Sequence, residues 1–306
     1  MNIEITRINE GITGSAAEYI KSVNTDYLCR IRSIVKNIVE AREERPVILI
    51  SGPSGSGKTT TALIIEKLLD NLGCTTHTFS MDNYFHSLTE DEKLLAAEGK
   101  MDLESPTRVD SSLLSSHIEA LGRCEEIVLP KYNFKKSARE ANGTPFRRGR
   151  NELVIFEGIH ALNPDVIQVP DSHICKIYVS VRSRVSCNDF ILHPSRIRLL
   201  RRMIRDSKFR HRSLRETMNM FASVEAGENK YIMPHKHRSD YDVDTFMAYE
   251  LCAYKSVLGD SLKELSDVPE LAETIRLLDE AVPLDTALIP PESLICEFIG
   301  SGEFKY

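Results

Sequence analysis

Apolar residues along this chain switch between two spacings, and the switches mark out its elements. Across 15–42, Ile20, Tyr27, Ile31, Ile34, Val35 and Ile38 recur at helical intervals behind Ser15, a residue type suited to an N-cap. This predicts a helix leading into the main unit. Between 47 and 244, short β-rich runs at Val47–Ser51, 75–81, Glu126–Leu129, 153–156 and 174–181 alternate with helical patterns. Such alternation predicts βαβ units, an α/β fold whose parallel sheet is covered by helices on both faces. From 246 helical patterns dominate up to Ile289-Pro290-Pro291, and 295–299 is a short apolar segment beyond that break. The expected organisation is a helical lead-in over 1–45, a main domain over 46–245 and a small helical appendage over 246–306.

Composition narrows the function classes. The 306 residues are 42% hydrophobic and 27% charged, enough for a large core and unlike a disordered or fibrous chain. Thirty-nine Lys and Arg against 45 Asp and Glu leave a formal charge of −6, so nucleic-acid binding would need a local basic patch. Seven scattered cysteines lack the paired spacing of zinc or redox sites and read as reduced thiols. The first residues lack a signal-peptide pattern, and no apolar run approaches the ~20 residues that span a bilayer. A cytoplasmic protein with no membrane partner is expected.

The first β-rich run leads directly into Gly52-Pro53-Ser54-Gly55-Ser56-Gly57-Lys58-Thr59, the G-x-x-x-x-G-K-[ST] pattern, with Thr60 and a helical pattern behind it. Glycines let successive backbone N–H groups turn inward on phosphate oxygens, and the following helix adds the positive end of its dipole. In that chemistry Gly52, Ser54, Gly55, Ser56, Gly57, Lys58, Thr59 and Thr60 hold the phosphates of ATP. Lys58 reaches the β- and γ-phosphates and Thr59 ligates Mg²⁺. Kinases, GTPases, motors and regulatory ATPases share this loop, so it points to a nucleotide and leaves the reaction open.

Two other strand ends carry acids. The run 153–156 ends at Glu157-Gly158, where a carboxylate either holds the magnesium or faces solvent. The run 75–81 releases Asp82, a proton acceptor for an attacking hydroxyl or the cap of a turn. Arg196, Arg198, Arg201, Arg202, Arg205, Lys208, Arg210 and Arg212 crowd one stretch. It reads as a lid, over about 194–226, closing on a transferring phosphoryl group, as a nucleic-acid patch, or as a solvated helix face.

These pieces resemble, in order from about Ile48 to Asp244, the uridine kinase family of nucleoside kinases, relatives of phosphoribulokinase among the P-loop kinases. Beyond the loop, the similar segments are Asp82-Asn83-Tyr84-Phe85, Asp102-Leu103-Glu104-Ser105-Pro106, Pro130-Lys131-Tyr132-Asn133-Phe134, Phe156-Glu157-Gly158-Ile159, Arg202-Met203-Ile204-Arg205-Asp206 and Arg210-His211-Arg212. The tail Leu294-Ile295-Cys296-Glu297-Phe298-Ile299-Gly300 resembles the end of longer bacterial members. The resemblance implies ATP- and Mg²⁺-dependent transfer to a nucleoside 5′-hydroxyl, with Asp82 as base and Lys58, Arg205 and Arg210 as catalytic cations. It implies that Glu104 replaces a family Asp on the ribose 2′- and 3′-hydroxyls and that Tyr84 is a substrate residue. Tyr132 and Phe134 line the base pocket, Arg202 reaches the nucleoside, Arg212 the base, and Thr59 and Glu157 share the magnesium.

Departures bear on the substrate. Ser137 stands where uridine kinases place a base-reading His, and His211 stands where the lid has Gly, which puts pyrimidine specificity in question and keeps Ser137 on the list of base contacts. Another acceptor, such as a sugar phosphate or pantothenate, is the nearest rival. A regulatory ATPase binding nucleic acid through 196–212 is the rival from a different class. His235 and His237 read as a surface turn, His160 as a substrate contact or a packed polar group, and Tyr249 and Tyr254 as core or interface residues. The expected partner is a small nucleoside, without nucleic acid, and the helical ends could serve a homo-oligomer.

Overall fold

The computed structural model describes residues 2–304. Residues 1, 305 and 306, the outermost positions of the expected lead-in and appendage, lie outside the described residues. The helices are α1 (Ile5–Glu40), α2 (Lys58–Asn71), α3 (Glu90–Ala97), α4 (Ser111–Gly122), α5 (Pro194–Arg210), α6 (Leu214–Gly227), α7 (Glu250–Lys263), α8 (Ala272–Glu280) and the short α9 (Cys296–Ile299). The main sheet consists of β1 (Val47–Ser51), β2 (Thr76–Ser80), β3 (Leu153–Glu157), β4 (Ile174–Ser180) and β5 (Tyr241–Asp244), all parallel, in the order β5-β4-β1-β3-β2. β1, β3 and β4 are buried throughout, as continuous apolar runs in a parallel sheet should be.

Alternation along β1 feeds two cores. Ile48 and Ile50 join Ile155, Ile177 and Val179 in one cluster, under α1, α2, α5, α7, α8 and α9. Val47 and Leu49 join Val154 and Phe156 on the other face, covered by Leu114, Ile118 and Leu121 of α4. The α/β fold with both faces covered, expected from the alternating pattern, is the fold observed. The segments flanking the sheet share its larger core: Tyr27 of α1 bonds Thr61 of α2 at 2.9 Å, and Phe298 of α9 is fully buried.

Two sequence expectations need correcting. Glu126–Leu129 is not a strand of the parallel sheet; it pairs antiparallel with Thr144–Arg147 in a separate ribbon. Its exposed and buried residues alternate, which suits a surface ribbon and not a sheet buried on both sides. The fifth parallel strand is β5, which the list of β-rich runs omitted. The lead helix also begins earlier than 15, at Ile5. Ser15 marks an extended break inside it, and its Oγ accepts from Glu18 N at 3.4 Å, so it caps the second segment. Ahead of α1, Asn2–Glu4 pairs with Arg184–Cys187, a contact across some 180 residues that no local pattern announces.

Strand order reverses around β1, whose neighbours β3 and β4 lead away in opposite directions. In open α/β sheets the crevice outside the carboxyl ends of the strands at such a switch point is where ligands bind. The glycine-rich loop, Asp82 and Glu157 all leave the sheet at this edge.

Candidate active site

β1 turns into the loop at Gly52, where a Cβ would stand 1.9 Å from the Val179 carbonyl oxygen, so only glycine fits. Gly57, at φ +85°, is the left-handed N-cap that starts α2. Ser56 Oγ is buried without a hydrogen-bond partner, and Lys58 Nζ folds back to the Pro53 carbonyl at 3.4 Å. Thr59, half-buried, follows Lys58 in the first turn of α2. The loop is clasped by three arginines of α5. Arg202 donates to Ser54 Oγ, Arg198 to the Ser54 carbonyl at 3.1 Å and Arg201 to the Gly55 carbonyl at 3.2 Å.

The acids gather in one field with Lys58. Burial raises the Asp82 carboxyl above its ordinary range, and the positive charges of Lys58 and Arg210 pull it back. Burial also raises Glu104, countered by Arg202 and Lys58, with Asp82 adding repulsion. Glu157, at the end of β3, is pushed up to about 7, first by burial and then by Asp82, against Lys58 and a hydrogen bond from Ser80. Asp82, Glu104 and Glu157 thus sense the same lysine.

The arginine stretch divides into distinct environments. Arg201 is fully buried and forms a two-point pair with Glu250 at 2.7 and 2.9 Å, adding bonds to Thr245. Arg198 is also buried, paired with Glu228. Arg202, Arg205, Arg210 and Arg212 instead converge on one buried carboxylate, Asp206, at 3.9, 2.9, 3.3 and 3.8 Å. α5 ends at His211 in the left-handed region, φ +54°, and this sharp turn sends Arg212 back towards Asp206. Four guanidiniums around one carboxylate leave an excess of positive charge, and burial with Arg205 nearby lowers Arg202 to about 10. The stretch is therefore neither a uniformly solvated face nor an exposed basic stripe.

On the acceptor side, Tyr132 N bonds Asn83 Oδ1 at 3.2 Å, which fixes the ribbon Tyr132–Asn133 and Ala138–Arg139 beside the Asp82 turn. Tyr132 is only 6% exposed: Arg108 donates to its hydroxyl, and Phe85 and Phe134 pack edge-on against it. Phe134 is 64% exposed. Ser137, at φ +50°, makes the ribbon's turn, and its carbonyl accepts from Leu88 N. Glu104 packs against Gly227, where a Cβ would come within 2.5 Å of its own, and Tyr231 donates to Asp102 at 2.7 Å. His160 is buried, pushed down to about 4, and hydrogen-bonds the Glu104 backbone.

Two residues expected at the site have their side chains engaged by other groups. Tyr84 is buried in the core under Phe156 with its hydroxyl on His117 at 3.0 Å, so its side chain does not open onto the cleft. Thr60 does lie in the first turn of α2, but its amide and hydroxyl donate to Glu297, at 3.4 and 2.5 Å.

A family model described as "Phosphoribulokinase / Uridine kinase family" matches residues 47–250. The chain belongs to this family. It is a P-loop kinase, a transferase. Among curated relatives it is 30% identical over 198 residues to a uridine kinase of Staphylococcus aureus strain Newman, covering 63% of this chain and 84% of that protein. It is 27% identical over 193 residues to a uridine kinase of Halobacterium salinarum, covering 62% and 76%. Among solved structures, a possible uridine kinase from Bacillus stearothermophilus aligns with a TM-score of 0.42 at 17% identity, over 70% of this chain and 97% of that one. A D-glycerate 3-kinase from Cryptococcus neoformans var. grubii aligns with a TM-score of 0.42 at 16% identity, over 73% and 89%.

The family match takes in β1 to β5 and the loop, and stops at Glu250. α9 and Glu297 lie outside it, although Glu297 accepts two bonds from Thr60 in the first turn of α2. The tail resemblance flagged its segment without giving it a role. Asp206 and Glu250 were equally undistinguished, since a carboxylate that gathers or neutralises distant arginines has no sequence spacing of its own. Among the described residues, no helix is long and apolar enough to cross a membrane.

Proposed function

We propose that this kinase transfers the γ-phosphoryl group of ATP to the 5′-hydroxyl of a nucleoside. The supporting observation is the meeting of Asp82, Glu104 and Lys58 at the carboxyl edge of the sheet, with Arg202 and Arg210 reaching them from α5. The loop suits a nucleotide's phosphates: its glycine geometry, the N-terminus of α2 and the partnerless Ser56 Oγ all await acceptor oxygens. Thr59 and Glu157 are hard oxygen donors of the type Mg²⁺ takes, and the ion, when bound, neutralises charge on the phosphate oxygens.

Asp82 orients the acceptor hydroxyl and takes its proton, and its raised proton affinity suits that task. Lys58, Arg205 and Arg210 stabilise charge spreading over the equatorial oxygens of the transferring group. Glu104 accepts from sugar hydroxyls, and the open ring of Phe134 offers a stacking face for a base. The test is transfer from labelled ATP across purine and pyrimidine nucleosides, ribose, sugar phosphates and pantothenate. A nucleoside 5′-monophosphate is the expected product. Transfer to another alcohol with none to any nucleoside would overturn the proposal.

One observation favours that second acceptor class. Tyr132, assigned to the base pocket by resemblance, has its hydroxyl on Arg108 and its ring covered by Phe85 and Phe134, leaving one aromatic ring open. A small alcohol needs no more.

A further inference from the structure

The C-terminal segment reaches the glycine-rich loop from outside the family match. Leu294 packs on Gly57, its methyls 3.0 Å from where a Cβ would stand. Three residues on, Glu297 Oε2 accepts from Thr60 Oγ1 at 2.5 Å and Thr60 N at 3.4 Å. Thr60 is the third residue of α2, and its amide is one of the first-turn N–H groups at the open end of the helix. These amides, at the positive end of the helix dipole, are what a glycine-rich loop offers to phosphate. A carboxylate of the chain itself therefore holds one of them.

The rest of the segment keeps the carboxylate there. Ser293 Oγ bonds Tyr249 Oη at 2.7 Å, Lys208 of α5 donates to the Ile299 carbonyl at 2.6 Å, and Lys67 of α2 pairs with Glu303 at 2.7 Å. Phe298 is buried beneath the Arg201 guanidinium. Glu297 is half-buried, and its charge is felt by Glu157 and Arg201, so it belongs to the same electrostatic field as the site.

We infer that Glu297 is a donor-site residue that sets nucleotide affinity by competition: its carboxylate takes, on the first turn of α2, a place used by a phosphate of the bound nucleotide, which must displace it. The inference rests on the donor reading of the loop. Because Lys208 ties the segment to the lid helix, displacement of Glu297 and movement of α5 are mechanically linked.

The test uses the full chain and its Glu297→Gln and Glu297→Ala variants, with ADP and adenosine binding measured by calorimetry and by thermal shift. Competition predicts about tenfold tighter ADP binding in both variants, with adenosine binding unchanged, because only a phosphate meets the carboxylate. The variants without ligand should melt lower than wild type and yet show a larger ADP-induced rise in Tm. A merely structural Glu297 would lower both. Unchanged or weaker ADP binding overturns the inference, and a parallel loss of adenosine binding would make Glu297 a contact to the nucleoside part instead. If wild type and variants all fail to bind ADP, the donor reading itself falls, and the inference with it.

Discussion

Arg201 and Arg202 follow one another on α5 and are both buried, yet their charges are balanced in different ways. Among the described residues, Arg201 shares Glu250 with no other arginine and is bonded to it at two points in the buried interior. Arg202 shares Asp206 with Arg205, Arg210 and Arg212. A guanidinium with its own carboxylate is complete, and its work is to fix α5 against α7 and the loop. Guanidiniums that outnumber their carboxylate keep an unmet demand for anionic oxygen, which a phosphoryl group can meet. The ratio of carboxylates to arginines distinguishes the two environments more sharply than position in the sequence does.

The largest expected effect comes from breaking the complete pair. Glu250→Ala leaves a buried charge unpaired and should cost about 3–5 kcal/mol of stability in denaturant unfolding. A loss under about 1 kcal/mol would erase the distinction. Next come two arginines that share Asp206 with others: Arg205→Ala and Arg210→Ala should each lower kcat/KM by about 10²- to 10³-fold while stability changes by about 1 kcal/mol or less. Equal losses of stability and activity would place them with Arg201.

The smallest effect concerns pH. Glu157 holds its proton up to about pH 7 in the folded chain, above the unfolded value, so its contribution to stability is full below the unfolded pKa and is lost as pH rises through about 7. Glu157→Gln should therefore raise Tm by on the order of 5 °C at pH 8 and much less at pH 5, in the absence of nucleotide and metal. A pH-independent Tm difference would contradict the burial argument.

Legibility in the sequence followed the range of the physics. The strand-loop-helix at 47–60 is local: apolar run, glycines, lysine and threonine act within a few residues of each other, and β1 and α2 lie where the pattern put them. Asp82 and Glu157 were legible as strand-end acids because a parallel sheet delivers its carboxyl ends to one edge. Thr60, Tyr84 and Glu126–Leu129 were harder. Thr60 meets a carboxylate 237 residues away, Tyr84 was drawn into the core by His117 and Phe156, and Glu126–Leu129 is half-exposed in a way that a list of β-rich runs does not register. The same holds for β5 and for the strand ahead of α1, each short and defined by its partner.

The most direct test of phosphoryl transfer with Asp82 as base compares wild type with Asp82→Asn, on the acceptor that the wild type prefers, with folding and ADP binding verified for both. The expected result is a fall in kcat of about 10²- to 10³-fold with ADP affinity retained, because the amide keeps the shape of the carboxylate and loses its capacity to accept the proton. A folded Asp82→Asn protein that turns over as fast as wild type would contradict the assignment of the base.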